Sequence, residues 1–450
     1  MRDIFEFIDK NKETYITWLQ ELCQQPSVAA QNRGMMETAT MVEKVLKELG
    51  ADTLQVQTSG YPVVYGVFNK DKTKTLSFYN HYDVQPEDPL ELWESPPFAA
   101  QIRDGRIYAR GVADNKGNLM ARLAAVHAYQ QVRGELPLQI KFIVEGEEEI
   151  GSVHLEEFVH AHKDLLQADG CIWEFGYKNA DGRPQVSLGV KGMCYVELTC
   201  RGANTDLHSA NAAIIENPAW RLNWALSTLK TSDEKIQIEG FYDSVASLTA
   251  EDHEVLEKMI YSEESTLESL GLKSFLLDLS GLPLKEKLIF QSTCTICGIE
   301  SGYTGEGSKT VLPSVARAKI DFRLVPDQDP QVILQLLRTH LDKHGFSDIE
   351  IQSYTLEHPA RTEIVNPLAT SVRETCKEVY GIEPTLMPMS PGTGPMYVLC
   401  QSIGVPAVSV GVGNFQSNNH APNENVLVED YIQGIKHIAA IMEDFSKREE

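Results

Sequence analysis

His81, Asp83, Asp114, Glu148, Glu149, Glu174 and His420 are the side chains of this sequence whose types and surroundings could do metal chemistry. His81 and Asp83 stand two residues apart, just past the apolar run 76–78, so extended backbone points both to one side. That suits a metal-binding imidazole backed by a carboxylate, which takes the other ring N–H, fixes the tautomer and raises the basicity of the ligating nitrogen. Asp114 sits between Gly111 and Gly117, Glu148 and Glu149 in the acidic turn EGEEEIGS, Glu174 after the apolar run GCIW, and His420 after a Gly-rich turn. Each is commonplace by itself: an acidic turn needs no ion, and His-x-Asp is more often a local hydrogen bond. With Asp83 behind His81 and only one of Glu148 and Glu149 counted, they offer two histidines and three carboxylates, a donor set suited to two borderline cations such as zinc sharing one bridging carboxylate. Neighbouring side chains diverge in extended backbone, so only one of Glu148 and Glu149 can face a given cation. The other is free to act as general base on metal-activated water.

These residues need a frame that brings distant stretches to one place. Periodicity predicts helices over 4–23, 35–49 (closed by Gly50) and 118–133 (stopped by Gly134), with short apolar strands at 53–57, 63–68, 75–78, 139–144, 170–173 and 407–410. Strands alternating with helices argue for an α/β domain with a mixed, largely parallel sheet and helices on both faces. Ligands in such sheets bind just beyond the carboxyl ends of strands, where His81, the two adjacent glutamates, Glu174 and His420 fall. From Lys191 the pattern becomes α+β, with strands at 193–199, 294–299, 316–324 and 348–356 and helices at 218–229 and 330–344. An acidic stretch, 231–290, reads as loop-rich. The α/β rhythm returns with a helix at 365–380 and another from 428. The expected organisation is one α/β domain in two parts, 1–190 and 359–450, interrupted by an inserted α+β domain, 191–358.

The chain has 450 residues, 42% hydrophobic and 23% charged, with a formal charge of −24. Such a surface repels phosphate backbones and anionic lipid, and no basic patch offsets it, so neither nucleic acid nor membrane is an expected partner. The N-terminal stretch carries charges every few residues and lacks the apolar core of a signal peptide, and no apolar run approaches a membrane span. The expected location is cytoplasmic, with Cys23, Cys171, Cys194, Cys200, Cys294, Cys297, Cys376 and Cys400 as reduced thiols. Cys294 and Cys297 form a C-x-x-C, but in an alternating strand that places them on opposite faces, with no second pair to complete a zinc site.

His81-Tyr-Asp83, Gly111-Val-Ala-Asp114-Asn-Lys-Gly117, Glu148-Glu149-Ile-Gly-Ser152 and Asn419-His420-Ala-Pro-Asn-Glu424 together resemble the co-catalytic di-zinc metallopeptidase family of carnosine and cytosolic dipeptidases, aminoacylases, acetylornithine deacetylases and succinyl-diaminopimelate desuccinylases. The resemblance spans essentially the whole chain and is closest to the dipeptidase branch. It implies Asp114 as bridging ligand, His81 and Glu174 completing one metal site, Glu149 and His420 completing the other, Asp83 behind His81, and Glu148 as general acid/base. It also implies a cis peptide at Asp114–Asn115 and makes the inserted domain a lid through which a homodimer forms. Gly202-Ala-Asn-Thr-Asp-Leu-His208-Ser209 resembles the lid motif whose histidine reaches the partner subunit's site and steadies the oxyanion. The segments around Thr310 and Arg323 resemble those that hold the substrate's carboxylate, for which a guanidinium fork is apt, and His358 and Ser390 match substrate-side positions.

The reading is a hydrolase with two divalent cations, zinc with manganese or cobalt as alternatives, that cleaves an amide close to a free carboxylate. Dipeptides or short peptides are the expected substrates. An N-acyl amino acid is the alternative, since the dipeptidase branch commonly has aspartate where Glu174 stands, whereas deacylases and carboxypeptidases of the family tend to have glutamate. A metal-dependent binding protein is the further alternative, which Glu148 argues against because a pure binder needs no base beside its ligands.

Overall fold

The computed structural model describes residues 1–449. The strands that build its two larger sheets are β1 (Asp52–Val56), β2 (Val63–Phe68), β3 (Thr75–His81), β4 (Gln139–Glu145), β5 (Gly170–Trp173), β6 (Gln185–Ser187), β7 (Gly192–Arg201), β8 (Thr293–Ser301), β9 (Val315–Leu324), β10 (Glu350–Glu357), β11 (Thr385–Met387) and β12 (Ala407–Ser409). The principal helices are α1 (Arg2–Lys10), α2 (Lys12–Gln24), α3 (Met35–Glu48), α4 (Gly117–Arg133), α5 (Pro218–Leu229), α6 (Ala250–Lys258), α7 (Glu263–Leu270), α8 (Gly281–Phe290), α9 (Pro330–Lys343), α10 (Pro367–Tyr380) and α11 (Val428–Phe445).

The central sheet runs β1-β2-β4-β3-β5-β12-β6-β11. Its middle is parallel, β4 with β3, β3 with β5 and β5 with β12, while β1 and β2 add an antiparallel edge. Every residue of β3 is buried, as a strand covered on both faces requires. One face packs Leu76, Phe78 and Phe142 against the helices through Leu19, Leu123, Val372 and Ile435. The other packs Tyr79 and Trp173, stacked at 4.1 Å, with Phe158 and Met396. These layers hold the carboxyl ends of β3, β4, β5 and β12 side by side.

The second sheet runs β8-β9-β7-β10, antiparallel throughout, and covers one face with α5 and α9 around Leu198, Phe322 and Leu337. Its other face lines up Thr293, Arg323, Met193 and Glu357 across the four strands. Cys294 is buried and Cys297 exposed, on opposite sides of β8.

Three local expectations are corrected. The single helix over 4–23 is two, broken at Asn11 (φ −105°, ψ 13°), whose side chain donates back to the Phe7 carbonyl at 2.8 Å and competes with the helical ladder. The stretch 231–290 is only half loop. It holds α6, α7 and α8, and α6 opens with a reciprocal cap between Thr249 and Asp252 that short amphipathic pieces hide from a periodicity reading. Glu148 and Glu149 lie in a 3₁₀ turn, Glu148–Ile150, rather than in extended backbone.

Candidate metal centre

The strand β3 carries its regular pairing to β4 as far as His81, so the imidazole leaves the sheet from a fixed position and is wholly buried. Its Nδ1 faces the Asp83 carboxylate at 3.3 Å and the Asp83 carbonyl at 3.0 Å. Donation there leaves Nε2 free, which points at Asp114 Oδ1 (3.1 Å) and Glu174 Oε2 (3.7 Å). On the opposite side of Asp114, His420 Nε2 lies 3.2 Å from Oδ2 and 3.1 Å from Glu149 Oε2. Asp114 thus stands between two imidazoles, each shared with a different glutamate.

Backbone donors hold these carboxylates. Asp83 accepts the N–H groups of Glu148 (3.3 Å) and Glu149 (2.9 Å), so the residue behind His81 also sets the glutamate turn. Glu424 does the same for the aspartate: it accepts from the N–H groups of Gly111, Ala113 and Asp114 at 2.8–3.0 Å and pairs with buried Arg110 at 2.7 Å. Gly111 has φ +83°, and a Cβ there would meet Val84 at 2.2 Å, so the entry to this turn requires glycine. The Asp114–Asn115 peptide is cis. Beneath the cluster, buried Arg122 donates to the carbonyls of Tyr79 and Trp173, tying β3 to β5.

The protein's own groups leave this cluster short of positive charge. Burial pushes the Glu174 carboxyl up to about 8 and raises Glu148 well above the carboxylate range, with the Glu174 charge adding to the latter. Burial and then Asp114 raise Glu149. Hydrogen bonds to Asp114 and Glu149 lift His420 to about 10, and although burial works against it, His81 is raised by Asp114 and Asp83. Glu149 Oε1 and Glu174 Oε2 are buried without a hydrogen-bond partner. Orphaned acceptors and mutually repelling carboxylates around neutral-capable imidazoles fit divalent cations, and His81, Asp114 and Glu149 offer ligand atoms within 4.8 Å of one another.

The remaining sequence candidates lie elsewhere. His208 is exposed, accepts the Ala210 N–H at 3.1 Å and lies 3.4 Å from the Thr310 hydroxyl, so these two residues pair with each other and not with the cluster's side chains. Arg323 reaches across to Thr393, donating to its hydroxyl at 2.6 Å. His358 stacks on Tyr397 at 4.4 Å. The Ser390 hydroxyl accepts the Gly392 N–H at 3.2 Å and does not touch Arg323. Sequence reasoning missed two residues here, Thr393 and Glu424. Thr393 lies three residues after Ser390 and Glu424 closes the motif Asn419–Glu424, and only the fold shows what each touches.

A buried imidazole, His81, an exposed one, His420, and the carboxylates between them converging at strand ends, with a further glutamate beside them, mark the chain as a metal-dependent hydrolase. It belongs to peptidase family M20/M25/M40, whose model matches residues 77–444. The Beta-Ala-His dipeptidase of Mus musculus is 28% identical, the match covering 100% of this chain and 96% of that protein. The Cys-Gly metallodipeptidase dug1 of Schizosaccharomyces pombe is also 28% identical, over 96% of each. Among solved structures, the M20 family metallo-carboxypeptidase Sso-CP2 from Sulfolobus solfataricus superposes with a TM-score of 0.92 at 42% identity, covering 96% of this chain and 99% of that one. Human carnosine dipeptidase 1 superposes at 0.84 with 27% identity, covering 99% of each.

Proposed function

We propose that this protein is a di-metal dipeptidase that cleaves an amide bond next to a free carboxylate. The observation that carries this reading is Asp114 between His81 and His420, each histidine facing its own glutamate. His81, Asp114 and Glu174 would hold one cation, and His420, Asp114 and Glu149 the other. The mixed nitrogen and oxygen donors favour zinc, with manganese and cobalt next. Two such cations supply Lewis acidity and make water acidic enough to react at neutral pH.

The protein's residues do the rest. Glu148 takes the proton of the attacking water and returns it to the leaving amine. Asp83 keeps the His81 tautomer and orients both glutamates through their N–H groups. Arg323, with Thr393 beside it, receives the substrate's terminal carboxylate as a planar fork. His208 and Thr310 belong to residues 191–358, a lid interrupting the catalytic halves 1–190 and 359–450. Because they are exposed and pair away from their own chain's cluster, they serve the partner's site in a homodimer, His208 steadying the oxyanion. His358 and Ser390 line the substrate side of the junction. Among the described residues no helix is long and apolar enough to cross a membrane, and all eight cysteines are free, which supports work in the cytoplasm.

A second reading, release of the C-terminal residue from longer peptides, is favoured by the 42% identity to a metallo-carboxypeptidase and by glutamate at 174. An N-acyl amino acid fits the same chemistry and glutamate at 174 equally, but the dipeptidase and carboxypeptidase relatives do not favour it. Mass-spectrometric assay of dipeptides, tetrapeptides and acetylated or succinylated amino acids with zinc, manganese and cobalt decides among them. Dipeptide cleavage is expected, and cleavage of acyl amino acids alone would overturn the assignment.

A further inference from the structure

His81, Asp83 and Gln85 follow one another at a spacing of two, which sends side chains to one side of extended backbone. Pro86 biases Gln85 toward that extended course. The segment is anchored on both sides of Gln85. The Val84 N–H donates to the Ser27 carbonyl at 2.8 Å, and Glu87 pairs with Arg33 while its carbonyl accepts the Trp93 indole N–H at 2.8 Å. Gln85 itself is half-buried and reaches the glutamate turn. Its amide nitrogen donates to the Glu149 carboxylate, Oε2, at 2.9 Å and to the Glu149 carbonyl at 3.2 Å.

Both partners of that nitrogen are acceptors, so the amide must present its NH2 end there, and a glutamate at 85 would be repelled. One nitrogen bonded to the carbonyl and the carboxylate of the same residue also fixes the path of the Glu149 side chain between them. Oε2 then faces Gln85 and His420, while Oε1 is buried without a hydrogen-bond partner. Glu148 is held differently. Its N–H donates to Asp83 at 3.3 Å, but among the described residues nothing donates a hydrogen bond to its carboxylate. A ligand must keep its place, whereas a proton carrier must face water first and the leaving amine afterwards.

Resting on the two-cation reading above, we propose that Gln85 is the positioning residue that sorts the two adjacent glutamates. By tying down Glu149 it makes that carboxylate the ligand of the His420-side cation and leaves Glu148 free as the proton carrier. Both amide hydrogens are taken by Glu149, so Gln85 acts on metal affinity at one site of the two and not on the substrate. Hydrogen-bond partners of ligating side chains contribute roughly 10–100-fold to metal affinity.

The test titrates the metal-free full chain with zinc, followed by calorimetry, and with cobalt, followed by its visible absorption. Gln85→Met keeps the length of the side chain and removes the donor, and Gln85→Leu is the second variant should the first misfold, which urea unfolding of the metal-free proteins checks. The wild type should take up two cations. Each variant should bind one of them roughly 10–100-fold more weakly and the other as before. In a Glu149→Ala background Gln85→Met should change metal binding no further, because the group it positions is gone. Variants that bind both cations as the wild type does, variants that weaken both alike, or an undiminished effect after Glu149→Ala overturn the role of Gln85 and leave the two-cation reading intact. Uptake of a single cation by the wild type overturns the two-cation reading, and Gln85 then keeps its role only if Gln85→Met weakens that cation and does nothing after Glu149→Ala. No uptake overturns both.

Discussion

The His81 side of the candidate metal cluster and the segment around His208 both carry an imidazole beside oxygen atoms, yet they are built in opposite ways. His81 is completely buried and its carboxylate neighbours are fixed by main-chain N–H groups, two on Asp83 and three on Glu424. His208 and Thr310 are exposed and lean on each other at 3.4 Å. The cluster is finished within one chain. The His208–Thr310 pair makes its contacts with itself and the Ala210 N–H, which leaves it free for the role proposed at a partner's site.

The cluster half of that contrast breaks most completely at Asp114. Asp114→Ala should lower occupancy at both metal sites together and abolish turnover, because one carboxylate serves both histidines. Elemental analysis that finds one site still full would contradict the bridging role. Glu148→Gln should keep the metals and lose roughly 10²–10⁴-fold in kcat, the usual contribution of a general base. Near-wild-type turnover with full metal content would remove Glu148 from that role.

The lid half is sharpened by mixing. His208→Ala should lose roughly 10²–10³-fold in kcat, the range for one oxyanion donor. Combined with Glu148→Gln after verified subunit exchange, it should regain activity, because each mixed dimer then holds one site with both groups intact. Mixtures that stay inactive while both parents are dimeric would assign His208 to its own chain. Thr393→Val should mainly raise KM, several-fold, through a misaligned Arg323; a change in kcat alone would argue against carboxylate recognition there.

The smallest effect concerns the core beneath the cluster. His437 is fully buried, donates to the Val372 carbonyl at 3.2 Å and is held down to about 4 by burial. Its folded value lies below the unfolded one of about 6.5, so the unfolded chain binds the proton first and stability falls as pH drops from about 6.5 to 4. The loss reaches about 3 kcal/mol at most for this group. Chemical unfolding across that range should show His437→Gln losing less stability on acidification than the wild type.

Much of the central sheet was legible because its strands are short, apolar and bounded by turn residues; β2 and β5 fall where the pattern sets them. The three-residue strands β6 and β11 were not, since so few residues carry no period and their pairing depends on partners far along the chain. The candidate ligands could be named because histidine and carboxylates after strand ends are a chemical signal. What they touch is a different matter. Thr393 is an ordinary hydroxyl until β9 brings Arg323 to it, and Glu424 is one acid among many until three N–H groups converge on it.

Glu424 also fixes when the enzyme can become active. It clamps the turn of Asp114 from 310 residues further along the chain, and His420 comes four residues before it. Until residues 420–424 emerge from the ribosome, the aspartate turn lacks its acceptor and the proposed second metal site lacks its imidazole. Loop closure of that span comes last, so an unfinished chain is a folding body without peptidase activity.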